Sequence, residues 1–161
     1  MLPSLSVDHP SQDAFGGLEA LYLELHRRQV AASPSRMGLA ATTDQVAWER
    51  RRAFYIESGS FVVRAHANHR LIGYAAAGMR PGFAGWGPEA PMGIIHDLVV
   101  TEPARRQGVG TLLLHRVRSE LKATGAVALQ LSVVRHNADA LAFYSHNGFE
   151  TIAETLGVAL R

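Results

Sequence analysis

One stretch restricts what this chain can fold into more than any other: Ile95-His96-Asp97-Leu98-Val99-Val100, followed by Thr101-Glu102-Pro103-Ala104-Arg105-Arg106-Gln107-Gly108-Val109-Gly110-Thr111. It reads as an apolar strand, a tight loop and the start of a helix. Two glycines spaced by one residue at the mouth of that helix let the backbone approach a ligand closely. The free amide groups there, with the helix dipole behind them, favour negative charge. The segment is therefore a phosphate cradle, and spacing narrows its kind. A P-loop needs a Gly-Lys-Ser/Thr ending, but Gly110 is followed by Thr111-Leu112. A dinucleotide-binding turn needs a third glycine where this chain has Leu113.

The flanking sequence supplies the scaffold. Residues 15–30 place Leu18, Leu21, Tyr22 and Leu25 at helical spacing, and Ser33-Pro34-Ser35 with Gly38 breaks the pattern. Thr43 and Asp44 offer caps for a second helix through Val46, Ala47, Phe54 and Ile56, which Gly59 terminates. Strands over 60–66 and 70–79 form an antiparallel hairpin around Ala67-Asn68-His69. A Gly/Pro-rich loop over 80–91 carries Phe83 and Trp86. A strand over 93–100, a helix over 109–123, a strand over 126–134, a helix over 137–146 and a final strand from Phe149 onward follow. A strand before the opening helix is visible only at 5–7. Alternation of this kind buries a sheet beneath helices, giving an α/β (α+β) domain of mixed strand direction. At 161 residues, 47% hydrophobic and 19% charged, the chain 1–161 is expected to be one globular domain.

Composition excludes several chemistries. The absence of cysteine rules out disulfides, a thiol nucleophile and thiolate-ligated metal. Residues 1–15 lack the basic start and apolar run of a signal peptide, and no long apolar stretch follows, so the cytoplasm is the expected compartment. A formal charge of +2 does not describe a nucleic-acid binder.

Read from Arg105 through Gly108 to Gly110, the cradle fits an Arg/Gln-x-x-Gly-x-Gly/Ala signature. At these residues the chain resembles the GNAT acetyltransferase superfamily. The preceding strand has that family's character, with an acidic residue before Leu98-Val99-Val100. Asn137, Ala140, Phe143-Tyr144 and Asn147-Gly148-Phe149 resemble its second cofactor segment. The resemblance covers about 93–149. It implies the acyl-CoA N-acyltransferase fold, a mixed and largely antiparallel sheet flanked by helices. The implied activity is transfer of an acetyl group from acetyl-CoA to a primary amine by direct attack in a ternary complex, without a metal. In that reading the backbone of Leu98, Val99 and Val100 pairs with the pantetheine arm where two strands splay apart. Arg105, Arg106, Gln107, Gly108, Val109, Gly110 and Thr111 hold the pyrophosphate, and Asn137 hydrogen-bonds the cofactor's amide arm. The amide of Val99 is the implied oxyanion donor.

Tyr144 has the position of the family's general acid, which protonates the departing thiolate. With a thiol near pKa 8.5 and a phenol near 10, that transfer is uphill by about 2 kcal/mol in water and needs the site's help. His96 stands where many members place a glutamate that accepts the amine's proton. Imidazole, titrating near 6.5, remains a competent base but brings no fixed negative charge. Period-two alternation sends Asp97 to the opposite face of the strand from His96 unless a bulge intervenes. Phe143 is expected in the core, and Phe83 and Trp86 are candidates for the acceptor pocket wall. Arg50-Arg51-Arg52 reads as a solvated helix face. His66 and His69 lack a third ligand, so no metal is expected. The expected partners are acetyl-CoA and an amine acceptor, with neither nucleic acid nor membrane; a homodimer stays open. The rival reading is a non-catalytic acyl-CoA sensor or interaction module, which the missing glutamate favours and Tyr144 opposes.

Overall fold

The computed structural model describes residues 3–9, 15–32, 43–82 and 90–155. The chain runs β1 (Ser4–Asp8), α1 (Glu19–Ala32), α2 (Asp44–Glu57), β2 (Phe61–Ala67), β3 (Arg70–Arg80) and β4 (Met92–Val100). A single 3-10 turn at Glu102–Ala104 leads into α3 (Val109–Ala123), β5 (Ala128–Leu131) and α4 (Ala138–His146). The five strands form one sheet in sequence order. The first four are antiparallel neighbours. β5 returns parallel to β4 after α3, as a strand–helix–strand crossover requires.

Local chemistry accounts for the joints. Asn68 and His69 both take positive φ, 49° and 62°, which a two-residue hairpin turn demands and asparagine tolerates best. Thr43 caps α2 by accepting a hydrogen bond from Val46 N at 3.4 Å. α1 begins four residues later than its periodicity suggests, because Phe15 and Leu18 serve as buried plugs ahead of the helix.

Alternation along the strands divides the core between two faces. Tyr74, Ala76, Val62 and Val99 face α1 and α2, where they meet Leu18, Tyr22, Trp48 and Tyr55. Ala75, Ala77, Val63 and Ile95 face α3 and its Leu113, Leu114, Val117 and Leu121. Each of these leucines is nearly or wholly buried, so truncation of one to alanine costs about 2–5 kcal/mol.

Two expectations change. The strand expected over 126–134 shortens to Ala128–Leu131. The final strand expected from Phe149 is absent among the described residues. Gly148, in the left-handed region at φ 80°, turns the chain back, and Phe149 N bonds Tyr144 O at 3.0 Å. Phe149 thus caps α4 and meets the Tyr144 ring edge-on, and Ile152 beyond it is exposed. Among the described residues, no helix is long and apolar enough to cross a membrane.

Candidate active site

β4 is where the sheet opens. It pairs with β5 only from Met92↔Ala128 to Ile95↔Leu131, and its last five residues have no strand partner on that side among the described residues. Which backbone groups face the opening follows from the other edge. Thr101 N donates to Ile72 O at 2.9 Å, and a Cβ placed on Gly73 would lie 2.7 Å from Val99 O. Thr101 and Val99 therefore turn their polar groups towards β3, and Leu98 and Val100 turn theirs to the open edge. The oxyanion donor expected at Val99 N is corrected by this geometry: that amide points into the ladder, and Leu98 N–H is the edge-facing amide beside it.

The cradle stands at the end of this edge. Gly108 is the N-cap of α3 at φ 81°, with nothing within 4 Å of the place a Cβ would occupy. The first helical bond is Leu112 N to Gly108 O, so the amides of Val109, Gly110 and Thr111 have no partner within the helix. Gly110 serves packing: a Cβ there would meet the Phe143 ring at 3.3 Å, so its absence lets α4 close on α3. Two side chains of the signature are engaged inside the fold. Arg105 Nε donates to Val100 O at 2.9 Å and its Nη2 meets Glu24 of α1 at 2.6 Å, tying the strand's end to that helix. Gln107 Nε2 donates to Pro103 O at 2.7 Å. Arg106 is exposed, at φ 58°.

α4 rises on the far side. Asn137 caps it, its Oδ1 accepting from Ala140 N at 3.2 Å. The Tyr144 ring is held edge-on between Phe143 and Phe149, with centroids 5.1 and 5.4 Å away. Burial pushes its hydroxyl up to about 12, and the negative charge of Asp97 adds to the shift. Tyr144 is therefore a proton-bearing group across the neutral range. Phe143 is half-buried against the α3 core.

The sequence pattern separates His96 from Asp97, and the structure does not. Ala76 pairs with Asp97 and Ala77 with Ile95, so His96 is the extra residue of a β-bulge. The bulge resets the alternation, which is why Ile95 lies in the α3 core while Val99 lies in the opposite one. Both His96 and Asp97 then meet α2. The His96 ring stands edge-on to Phe54 at 4.8 Å and 87°, over the bare backbone of Gly78. Burial, with the Arg51 charge adding, pushes its imidazole down to about 4. The ring is neutral at pH 7, with an unprotonated nitrogen that is a weaker base than a free imidazole.

Asp97 anchors a polar cluster that sequence reading missed. Its carboxylate accepts from the Tyr55 hydroxyl and pairs with Arg51 Nη2 at 3.2 Å, and the Tyr55 and Tyr74 hydroxyls lie 3.4 Å apart. Burial raises Asp97 to about 6, against the opposing pull of Arg51 and Tyr55. Of the three arginines read as a solvated face, Arg50 and Arg52 are exposed. Arg51 is corrected: its guanidinium lies 5.5–5.7 Å from the ring centres of Tyr22, Phe54 and Tyr55. The signal was the i, i+3, i+4 spacing of Arg51, Phe54 and Tyr55, which puts all three on one helix face. Phe83 and Trp86 lie outside the described residues. Among the described residues, no group of three or more His, Asp or Glu side chains is arranged to hold a metal.

Comparison with known proteins agrees with this architecture. A mutant of the BH1408 protein from Bacillus halodurans superposes with a TM-score of 0.79 at 20% identity, covering 97% of this chain and 99% of that one. An aminoglycoside N-acetyltransferase in complex with CoA gives 0.68 at 14% identity, over 99% and 96% of the two chains. A mycothiol acetyltransferase from Beutenbergia cavernae is 29% identical over 142 residues, which are 86% of this chain and 44% of that protein. The chain thus spans less than half the length of that relative. The acetyltransferase (GNAT) family profile matches residues 20–149, from the first turn of α1 to the cap of α4, and the chain belongs to that family.

Proposed function

We propose that the chain is an N-acetyltransferase that moves the acetyl group of acetyl-CoA to a primary amine by direct attack, with the cytoplasm as its compartment. The observation that carries this reading is the free edge of β4 beyond Ile95, running straight to the uncovered N-terminus of α3. An extended amide-bearing chain ending in a pyrophosphate has the shape and charge for both parts at once. Leu98 offers its edge-facing N–H and C=O to the pantetheine amides and Val100 its N–H, the Val100 carbonyl being held by Arg105, and Val99 contributes by holding the edge in register with β3. Gly108, Val109, Gly110 and Thr111 offer backbone amides to the phosphates, with Arg106 beside them as an exposed cation. Arg105 and Gln107 shape the loop. The NH2 end of the Asn137 side chain, whose oxygen already caps α4, can serve the cofactor arm. The relatives support the assignment: one is named a mycothiol acetyltransferase, and another is an aminoglycoside N-acetyltransferase in complex with CoA.

In the reaction, His96 takes the proton released as the amine nitrogen forms its bond to the acetyl carbon. Leu98 N–H donates to the carbonyl oxygen as charge develops there. Tyr144 gives its proton to the sulfur as the carbon–sulfur bond breaks. Phe83 and Trp86 remain candidates for the acceptor wall. The test is thiol release from acetyl-CoA over a panel of primary amines. Turnover on any amine supports transfer, and binding of acetyl-CoA without turnover on all of them supports the sensor reading instead.

A further inference from the structure

We propose that Arg51 sets acceptor specificity: its guanidinium, fixed between the Asp97 carboxylate and the rings of Tyr22, Phe54 and Tyr55, presents a positive charge beside His96. It thereby selects amines bearing a carboxylate or similar anionic group near the reacting nitrogen over polycationic amines. The inference deepens the transferase reading and rests on it.

The geometry is that of a fixed dipole. Asp97 is wholly buried, whereas 24% of the Arg51 side chain is exposed, so the anion lies behind and the cation in front. Phe54 links this cation to the proposed base. Arg51 lies 5.5 Å from the centre of its ring, and His96 stands edge-on to the same ring at 4.8 Å. The guanidinium cannot swing away without giving up the ion pair and three ring contacts. The electrostatics divide the same way: His96 feels Arg51, and Tyr144 on the other flank feels Asp97. An acceptor that brings its amine to His96 therefore meets the positive end of the pair and the exposed edge of Phe54. The carboxylate that could have attracted a cation is already occupied by Tyr55 and Arg51. Because Asp97 lies behind and cancels part of the field, a second positive charge on the acceptor near the guanidinium is disfavoured by only about threefold, and a negative one is favoured by about as much.

The experiment compares kcat/KM by thiol release for three acceptors of matched size: an amino carboxylate, its neutral amide and a diamine. The variants are Arg51→Lys, which keeps the charge, and Arg51→Met combined with Asp97→Asn, which removes both charges and leaves no buried ion unpaired. The wild-type protein is expected to prefer the amino carboxylate to the amide by about threefold and the amide to the diamine by a similar factor, about tenfold from end to end. Arg51→Lys should retain most of that order, and the double variant should bring all three within about 1.5-fold of one another. A merely structural role would lower all three rates together. A wild-type preference for the diamine, or an order that survives in the double variant, overturns the inference and leaves acetyl transfer standing. Absence of thiol release with every acceptor overturns the transferase reading, and this inference with it.

Discussion

Arg51→Met offers a quantitative test of the buried cluster, because its cost depends on pH in a way a packing defect does not. Asp97 sits near 6 in the folded chain against an ordinary value of 3.8, the result of burial partly offset by Arg51 and Tyr55. A raised carboxyl contributes stability that is present below its unfolded value and lost as pH rises to the folded value. For Asp97 that loss is about 3 kcal/mol between pH 4 and 6, after which its contribution is level; His96, lowered to about 4, acts in the opposite sense up to its ordinary value and is common to both proteins. Removing Arg51 deletes the main group holding Asp97 down, so its folded value climbs further and the loss continues above pH 6. The slope there is about 1.4 kcal/mol per pH unit, or close to 3 kcal/mol by pH 8. Methionine keeps some stem packing, and the lost ring contacts add a pH-independent cost of about 1–2 kcal/mol. Urea unfolding of both proteins at pH 5.5, 7 and 8 should show the difference widening from about 1–2 to about 4 kcal/mol. Adding Asp97→Asn to the variant should abolish the widening. A difference that stays constant from pH 5.5 to 8 would refute the claim that Arg51 carries the charge of Asp97.

Three further outcomes are expected. Saturating acetyl-CoA should raise the Tm by about 5–10 °C; Gly108→Val, which strains a left-handed position and fills the cradle, should remove most of that shift. Isothermal titration with the same variant would reveal a misplaced cradle as unchanged affinity. Tyr144→Phe keeps the ring between Phe143 and Phe149 but removes the proton, so steady-state turnover should fall at least about tenfold while calorimetric binding of acetyl-CoA persists; an undiminished kcat would assign that proton to another donor. The limb of the kcat/KM profile due to His96 should lie near 4 instead of the ordinary 6.5, with activity lost as pH falls through it. His96→Gln should erase that limb and leave untouched any inflection near 6 that belongs to Asp97, and a surviving limb near 4 would remove His96 from the reaction.

Much of the scaffold was legible along the chain. Thr43 as a cap, the Asn68-His69 turn, α3 over Val109–Ala123 and the Gly108 cradle are local features, written by residues within a few positions of one another. The strand expected from Phe149 was misread over the described residues 149–155: Phe149 and Ile152 suit a strand, but a strand exists only with a ladder partner, and Phe149 N bonds Tyr144 O instead. Arg51 was misread for a related reason. Its neighbours Arg50 and Arg52 do face solvent, and although its spacing to Phe54 and Tyr55 puts it on their helix face, nothing within α2 names the carboxylate it meets 46 positions away.

The sequence by itself determined the family signature, the order of elements and the residue types available for proton transfer, because these rest on short-range spacing. Tertiary structure alone decided which of them meet. The one-residue bulge at His96 is a property of the β3–β4 register, invisible in either strand alone, yet it brings His96 and Asp97 to the same helix. The depth to which Asp97 and Tyr144 are buried, and hence their readiness to hold a proton, depends on helices remote in sequence closing over the sheet. Even the choice of which amides face the open edge of β4 came from its pairing with β3, since which groups a ladder uses is settled between strands, not within them.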